Sequence, residues 1–229
     1  MRQLLVAFSS LLLALPLMAQ PIHGGIAYFS LGMPFLQLDE LNNRLTQYQI
    51  PSFDAPFITL GGGGAFSGER LFFGGEGAGL IQREQSYQRG DTTFRMQLDG
   101  GMGVGLIGFN LLRSPVTIQL LGGIGGSSLT LKITEERSDS FDDILQRPQR
   151  EITMTIGSFL FQGSASVLIP ITNSLFIGLQ GGYVFSVTNS DWQYLSRIAI
   201  ANGPKAGFDG AFARLLIGFG WFDEDECED

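Results

Sequence analysis

Period two dominates this chain. In residues 211–222 the odd positions are Ala211, Ala213, Leu215, Ile217, Phe219 and Trp221, while the even ones include Arg214, Gly218 and Gly220. Residues 175–187 repeat the pattern, with Ile177, Leu179, Tyr183, Phe185 and Val187 on one face and Gly178, Gln180, Gly182 and Ser186 on the other. In residues 93–109 the apolar row is even (Phe94, Met96, Leu98) and the odd row holds Arg95, Gln97 and Asp99. Successive strand side chains point to opposite sides of a sheet, so one apolar row beside one polar row is the mark of a strand with one covered face. Eight such runs are legible, at 22–32, 57–67, 71–83, 93–109, 116–134, 152–169, 175–187 and 211–222. Within 116–134 the apolar parity changes from even (Val116, Ile118, Leu120) to odd (Leu129, Leu131, Ile133), which predicts a β-bulge near residues 125–128.

The connections sort by length. Those at 68–70, 110–115 and 170–174 are short, and those at 33–56, 84–92, 135–151 and 188–210 are longer, in strict alternation along the chain. In an up-and-down barrel alternate connections emerge at opposite ends, and outer-membrane barrels pair short periplasmic turns with longer outer loops. One segment carries a helical spacing: Leu38, Leu41, Leu45 and Tyr48 share a face, and Pro51 follows. It predicts a short helix in the first long loop, packing its stripe on nearby strands, with a gate over the barrel mouth as the alternative.

Periodicity does not say which way an apolar row points: inward in a soluble barrel, outward in a membrane barrel. Composition bears on that choice. Only 16% of the residues are charged and mean hydropathy is +0.18, against an average charged share of about 25%. The polar rows are sparsely charged and rich in glycine, which makes them poor water-facing surfaces. Glycine reaches 32 of 229 residues, about twice the usual share. Gly101, Gly103, Gly105, Gly123 and Gly125 lie inside apolar runs, where they are expected to relieve crowding in a narrow lumen.

The first residues read as a targeting segment. Arg2 supplies a positive start, residues 4–17 an apolar stretch, and Leu17-Met18-Ala19 a small-residue cleavage site, so a cleaved signal peptide at 1–19 is expected. No cysteine lies at that site, which argues against a lipoprotein anchor. Cys227 is the only cysteine, so no intrachain disulfide can form. The expected organisation is a signal peptide at 1–19, a β-barrel domain at 20–222 and an acidic tail at 223–229.

With its export signal, its alternating loops and its last strand Ala211-Phe-Ala-Arg-Leu-Leu-Ile-Gly-Phe-Gly-Trp-Phe222, the chain resembles the small eight-stranded outer-membrane β-barrels of bacteria. The resemblance covers the whole mature chain as architecture and matches no subfamily motif. It implies an all-β, antiparallel up-and-down transmembrane β-barrel of eight strands, ten being the alternative count, located in the bacterial outer membrane. It also implies two partners: outer-membrane lipid, and the barrel assembly machinery, which reads an alternating last strand ending in an aromatic residue. The acidic extension at 223–229 departs from that ending.

Candidate chemistry is sparse. A net charge of −8 argues against nucleic acid. Gly103-Val104-Gly105-Leu106-Ile107-Gly108 fits a dinucleotide-binding string, but it has no strand before it and no helix after it. His23, the only histidine, lies beside the mature N-terminus, which disfavours a Ser-His-Asp hydrolase. Asp139, Asp142 and Asp143 crowd one loop without calcium-loop spacing. No cofactor, metal or enzymatic activity is expected. The remaining candidates are strand polar residues, Glu76, Arg95, Asp99, Gln180 and Arg214, expected to share the lumen as a salt-bridged filling or, alternatively, as a path for ions or small solutes. The leading function is structural, adhesive or surface interaction. A narrow pore and a soluble exported barrel with an apolar ligand are the alternatives.

Overall fold

The computed structural model describes residues 24–54, 56–67, 70–81, 83–90, 92–112, 116–136, 151–172, 174–188, 191–194 and 198–220. The expected signal peptide, His23, the acids at Asp139, Asp142 and Asp143, the final aromatics Trp221 and Phe222 and the acidic tail lie outside the described residues.

The elements in chain order are β1 (Gly24–Pro34), α1 (Asp39–Gln47), β2 (Thr59–Ser67), β3 (Leu71–Leu80), β4 (Arg83–Arg89), β5 (Thr92–Leu112), β6 (Thr117–Glu136), β7 (Glu151–Pro170), β8 (Leu175–Thr188), β9 (Gln193–Tyr194), β10 (Ile198–Ala199) and β11 (Gly210–Gly220). Eight of the strands close a ring in the order β1-β2-β3-β5-β6-β7-β8-β11, each pair antiparallel, and β11 returns to β1. Closure pairs the backbone groups that an open edge would leave exposed. The short connections gather at one end, called here the inner end, and the long ones at the other, the outer end.

Alternation fixes the two surfaces. Along β11, Phe212, Arg214 and Leu216 are buried inward, while Leu215, Ile217 and Phe219 stand out at 43%, 50% and 63% exposure. β1 and β8 do the same with Phe29, Leu31, Leu179 and Phe185 outside. An exterior of this kind is insoluble in water and matched to hydrocarbon. Aromatic rings mark both borders of the apolar band. Phe66 faces Phe73 across β2 and β3 near the inner end, with Phe109 and Phe219 also exposed. Toward the outer end, Phe159 and Phe161 meet edge to face at 5.1 Å, and Phe161 lies opposite Phe185. Such girdles belong at the two membrane interfaces.

β5, β6 and β7 run for 21, 20 and 20 residues, against the 9–11 or so that a bilayer requires. Their outer halves form a head above the apolar band, and there the rule inverts. Met96, Leu98, Leu129, Leu131 and Ile156 point inward and are almost wholly buried. Arg95, Lys132, Thr130 and Glu136 stand on the outward rows. The parity change in β6 is therefore no bulge. Its pairing with β5 and β7 runs unbroken through residues 125–128, and among the described residues the register of these two ladders shifts only at Asn110/Leu112. Odd residues of β6 face inward throughout; what changes along the strand is the outside solvent, from hydrocarbon to water.

Two further expectations are corrected in the head. Residues 84–92 are mostly strand, since β4 continues the direction of β3 and pairs with the outer part of β5. Its polarity, Glu84 and Gln88 outward with Gln85 and Tyr87 inward, is that of a strand in water. Residues 188–210 also hold structure, the small β9–β10 hairpin laid on β7. Helix α1, with Asp39 and Glu40 in its first turn where the helix dipole favours anions, buries Leu41 and Leu45. With Leu38, Phe53, Trp192 and Phe208 it joins Met96 and Leu98 in one apolar cluster that closes the outer mouth.

Candidate functional site

Beneath the head, the lumen carries one buried ion pair. Glu76 rises from β3 and Arg214 from β11, and Arg214 Nη1 pairs with Glu76 Oε1. Both side chains are at most 5% exposed. Three neutral donors complete the carboxylate: Gln162 Nε2 donates to Oε1 at 2.7 Å, Tyr28 Oη to Oε2 at 2.9 Å and Gln180 Nε2 to Oε2 at 3.5 Å. The guanidinium lies 4.3 Å from the centre of the Phe212 ring and donates from Nη2 to Met102 Sδ at 3.7 Å. Removing two charges from water is costly, and the partner charge together with the three donors around the carboxylate is what makes the burial tolerable. Gln162 Oε1 and Gln180 Oε1 in the same belt are buried with no hydrogen-bond partner among the described residues.

Glycine makes the room. A Cβ built on Gly63 of β2 would lie 2.5 Å from the Tyr28 hydroxyl, and one on Gly32 of β1 would lie 2.7 Å from Arg214 Cγ. Gly123 and Gly125 likewise face inward against β5. Gly101, Gly103 and Gly105 do not: they lie on the odd, outward row of β5, and a Cβ on Gly103 would meet nothing within 4 Å. They cannot relieve crowding in the lumen, because the inward row of β5 is the even one.

Of the five residues expected to share the lumen, Glu76, Gln180 and Arg214 meet there. Arg95 and Asp99 do not. Arg95 is on the outside of the head, 2.9 Å from Glu84 and also paired with Glu136, and is 46% exposed. Asp99 follows on the same outward row, opposite Thr130. The physical reason is the inverted head: above the apolar band the polar row is the outer one. Tyr28, Gln162, Gln119 and Ser166 belong to the lumen and were not among the expected residues. On the inward row Tyr28 is followed by Ser30, Gln119 is preceded by Thr117, and Gln162, Ser164 and Ser166 follow one another. This short polar run at alternate positions inside an otherwise apolar strand is the signal by which they could be found.

The polar belt is the middle of three layers. Below it Leu168, Phe176 and Leu216 pack with Tyr28, and Phe176 is fully buried. Between these, Ser166 Oγ donates to Gln119 Oε1 at 2.9 Å, and Gln119 Nε2 donates to Asn110 Oδ1 at 2.9 Å. Above lies the apolar core of the head. The void beside Tyr28, Gln119, Ser166 and Gln180 measures about 10 Å³, at the lower bound for one water molecule. The belt offers no lone carboxylate for acid–base work, since every oxygen of Glu76 already has donors. Among the described residues no group of three His, Cys, Asp or Glu could hold a metal ion.

No family model and no curated protein sequence matches the chain. Solved structures do resemble it at low identity. The attachment invasion locus protein Ail of Yersinia pestis is 9% identical with a TM-score of 0.47, covering 86% of this chain and 98% of that one. The outer membrane protease OmpT of Escherichia coli is 9% identical with a TM-score of 0.42, over 90% and 99%. Neisserial surface protein A is 13% identical with a TM-score of 0.38, over 87% and 96%.

Proposed function

We propose that this small outer-membrane β-barrel is a surface-interaction protein whose membrane part is a sealed anchor and whose projecting head makes the contacts. The single observation that carries this reading is the stack of three filled layers across the lumen: an apolar floor at Phe176, a buried ion pair at Glu76 and Arg214, and an apolar roof at Met96 and Leu98. A conducting barrel needs a continuous wet path, and each layer interrupts one. The chemistry outside the membrane lies in the head. There β4 to β7 extend roughly ten residues, about 30 Å along the strand, past the apolar band, and display charged and polar side chains.

The reading has a direct test. Purified protein in planar bilayers shows no conductance steps, and a Ser86→Cys, Cys227→Ala variant reacts on intact cells with a membrane-impermeant maleimide. Steady single-channel conductance would return the lumen to the role of a pore. Labelling only after cell lysis would place the head on the wrong side of the membrane.

A further inference from the structure

At the tip of the head, the end of α1 meets the β4–β5 hairpin around an open groove of about 390 Å³, within the volume range of small-ligand sites. One wall is the C-terminus of the helix, Gln47, Tyr48 and Gln49; the other is the end of β4, Tyr87, Gln88 and Arg89. Tyr48 is 60% exposed. Tyr87 is held by stacking on Phe94, with ring centres 5.3 Å apart and planes 17° apart. Partial burial pushes the Tyr87 phenol above its ordinary range, against the opposing pull of Arg89. Among the described residues Arg89 has no ion-pair partner.

Gln49 gives the groove a second mark. The helix ends with Gln49 N–H donating to Thr46 O and Ile50 N–H to Leu45 O, both at 3.0 Å, a cap that places Gln49 in the left-handed region at φ 59°. Glycine is the residue suited to that position. Here the position is held by a glutamine, itself one of the residues lining the groove.

We infer that this groove binds a sugar ring bearing one carboxylate, which deepens the surface-interaction reading by naming a ligand class for the head. Tyrosine rings offer flat apolar faces for the C–H face of a pyranose. Glutamine amides each donate and accept, as sugar hydroxyls require. A guanidinium matches a carboxylate with two parallel hydrogen bonds. The net charge of −8 opposes long-range attraction of a polyanion, so recognition is of a single acidic unit.

Titration of the refolded full chain in detergent micelles tests this, independently of which way the barrel faces in a cell. Methyl glucuronide binds saturably, and methyl glucoside binds about tenfold more weakly, as expected for loss of one charge-assisted contact. Arg89→Gln abolishes that difference, Tyr48→Ala weakens both sugars, and Gln49→Gly weakens binding without lowering thermal stability. Failure of methyl glucuronide to saturate up to its solubility limit overturns the inference. So does an Arg89→Gln protein that still prefers the acid, or equal binding of inorganic sulfate, which would reveal a mere anion site.

Discussion

Glu76 and Arg214 pair across the lumen from strands that are not neighbours: β1 and β2 stand between β3 and β11 in the ring. The pair therefore fastens two arcs of the wall to each other, which no ladder hydrogen bond does. Gln162 on β7 and Gln180 on β8 bring the opposite arc to the same carboxylate.

Removing one charge leaves the other buried and unpaired. Glu76→Leu is expected to cost about 3–5 kcal/mol, and Arg214→Met in the same protein to recover most of it, since an apolar replacement of a whole buried pair is often neutral. Urea unfolding of the two variants in lipid vesicles measures both. A double variant as unstable as the single one would mean that the pair has no special coupling.

The layered seal makes a second prediction, one that separates stability from transport. The Glu76→Ala, Arg214→Ala protein is expected to stay non-conducting in planar bilayers, because Phe176 below and Leu98 above remain in place. A jump in conductance would show the polar belt to be the only barrier.

Leu120 and Thr130 share the outward row of β6, one in the apolar band and one in the head. Leu120→Arg is expected to destabilise by about 1–2 kcal/mol, less than a cation at mid-bilayer would cost because Leu120 lies opposite Phe109 toward the inner border of the band. Thr130→Arg should stay within about 0.5 kcal/mol, as surface changes do. Unfolding free energies from vesicles decide it, and equal penalties would contradict the solvent change along the strand.

Inside the head, Leu98 is fully buried. Leu98→Ala is expected to cost about 2–5 kcal/mol and to speed proteolysis of the head while the membrane part stays protected. At the helix cap, Gln49→Gly should stabilise by about 1 kcal/mol through relief of the left-handed conformation, read as a higher unfolding midpoint.

Eight strands, the short helix and the outward faces of β8 and β11 were legible because hydrocarbon outside and a narrow lumen inside impose alternation on each run. Arg95 and Asp99 were misplaced for a reason equally physical. Alternation separates two faces without naming them, and a polar row was assigned to the lumen along its whole length. That assignment is right for Arg214 and wrong for Arg95, since the surroundings of the wall change partway up β5. The same change in β6 imitates an inserted residue. β4 escaped notice because a water-facing strand of Arg, Glu, Gln and Ser has the composition of a loop, and its pairing with β5 is set by position rather than by local pattern. Tyr28 and Gln162 are joined to Glu76 over 48 and 86 residues of sequence, a separation that no local window spans.

The reversal of chemistry along β5, β6 and β7 acts as a waterline. Six residues, about 20 Å along the strand, separate Ile124 from Thr130, so sinking the barrel past that span drags Asp99 and Thr130 into acyl chains, and raising it past that span lifts Ile124 and Phe159 into water. Three adjacent staves carry the mark at the same height, so the depth of immersion is written into the wall itself, and the groove at Tyr48 and Tyr87 is held at a set distance above the lipid.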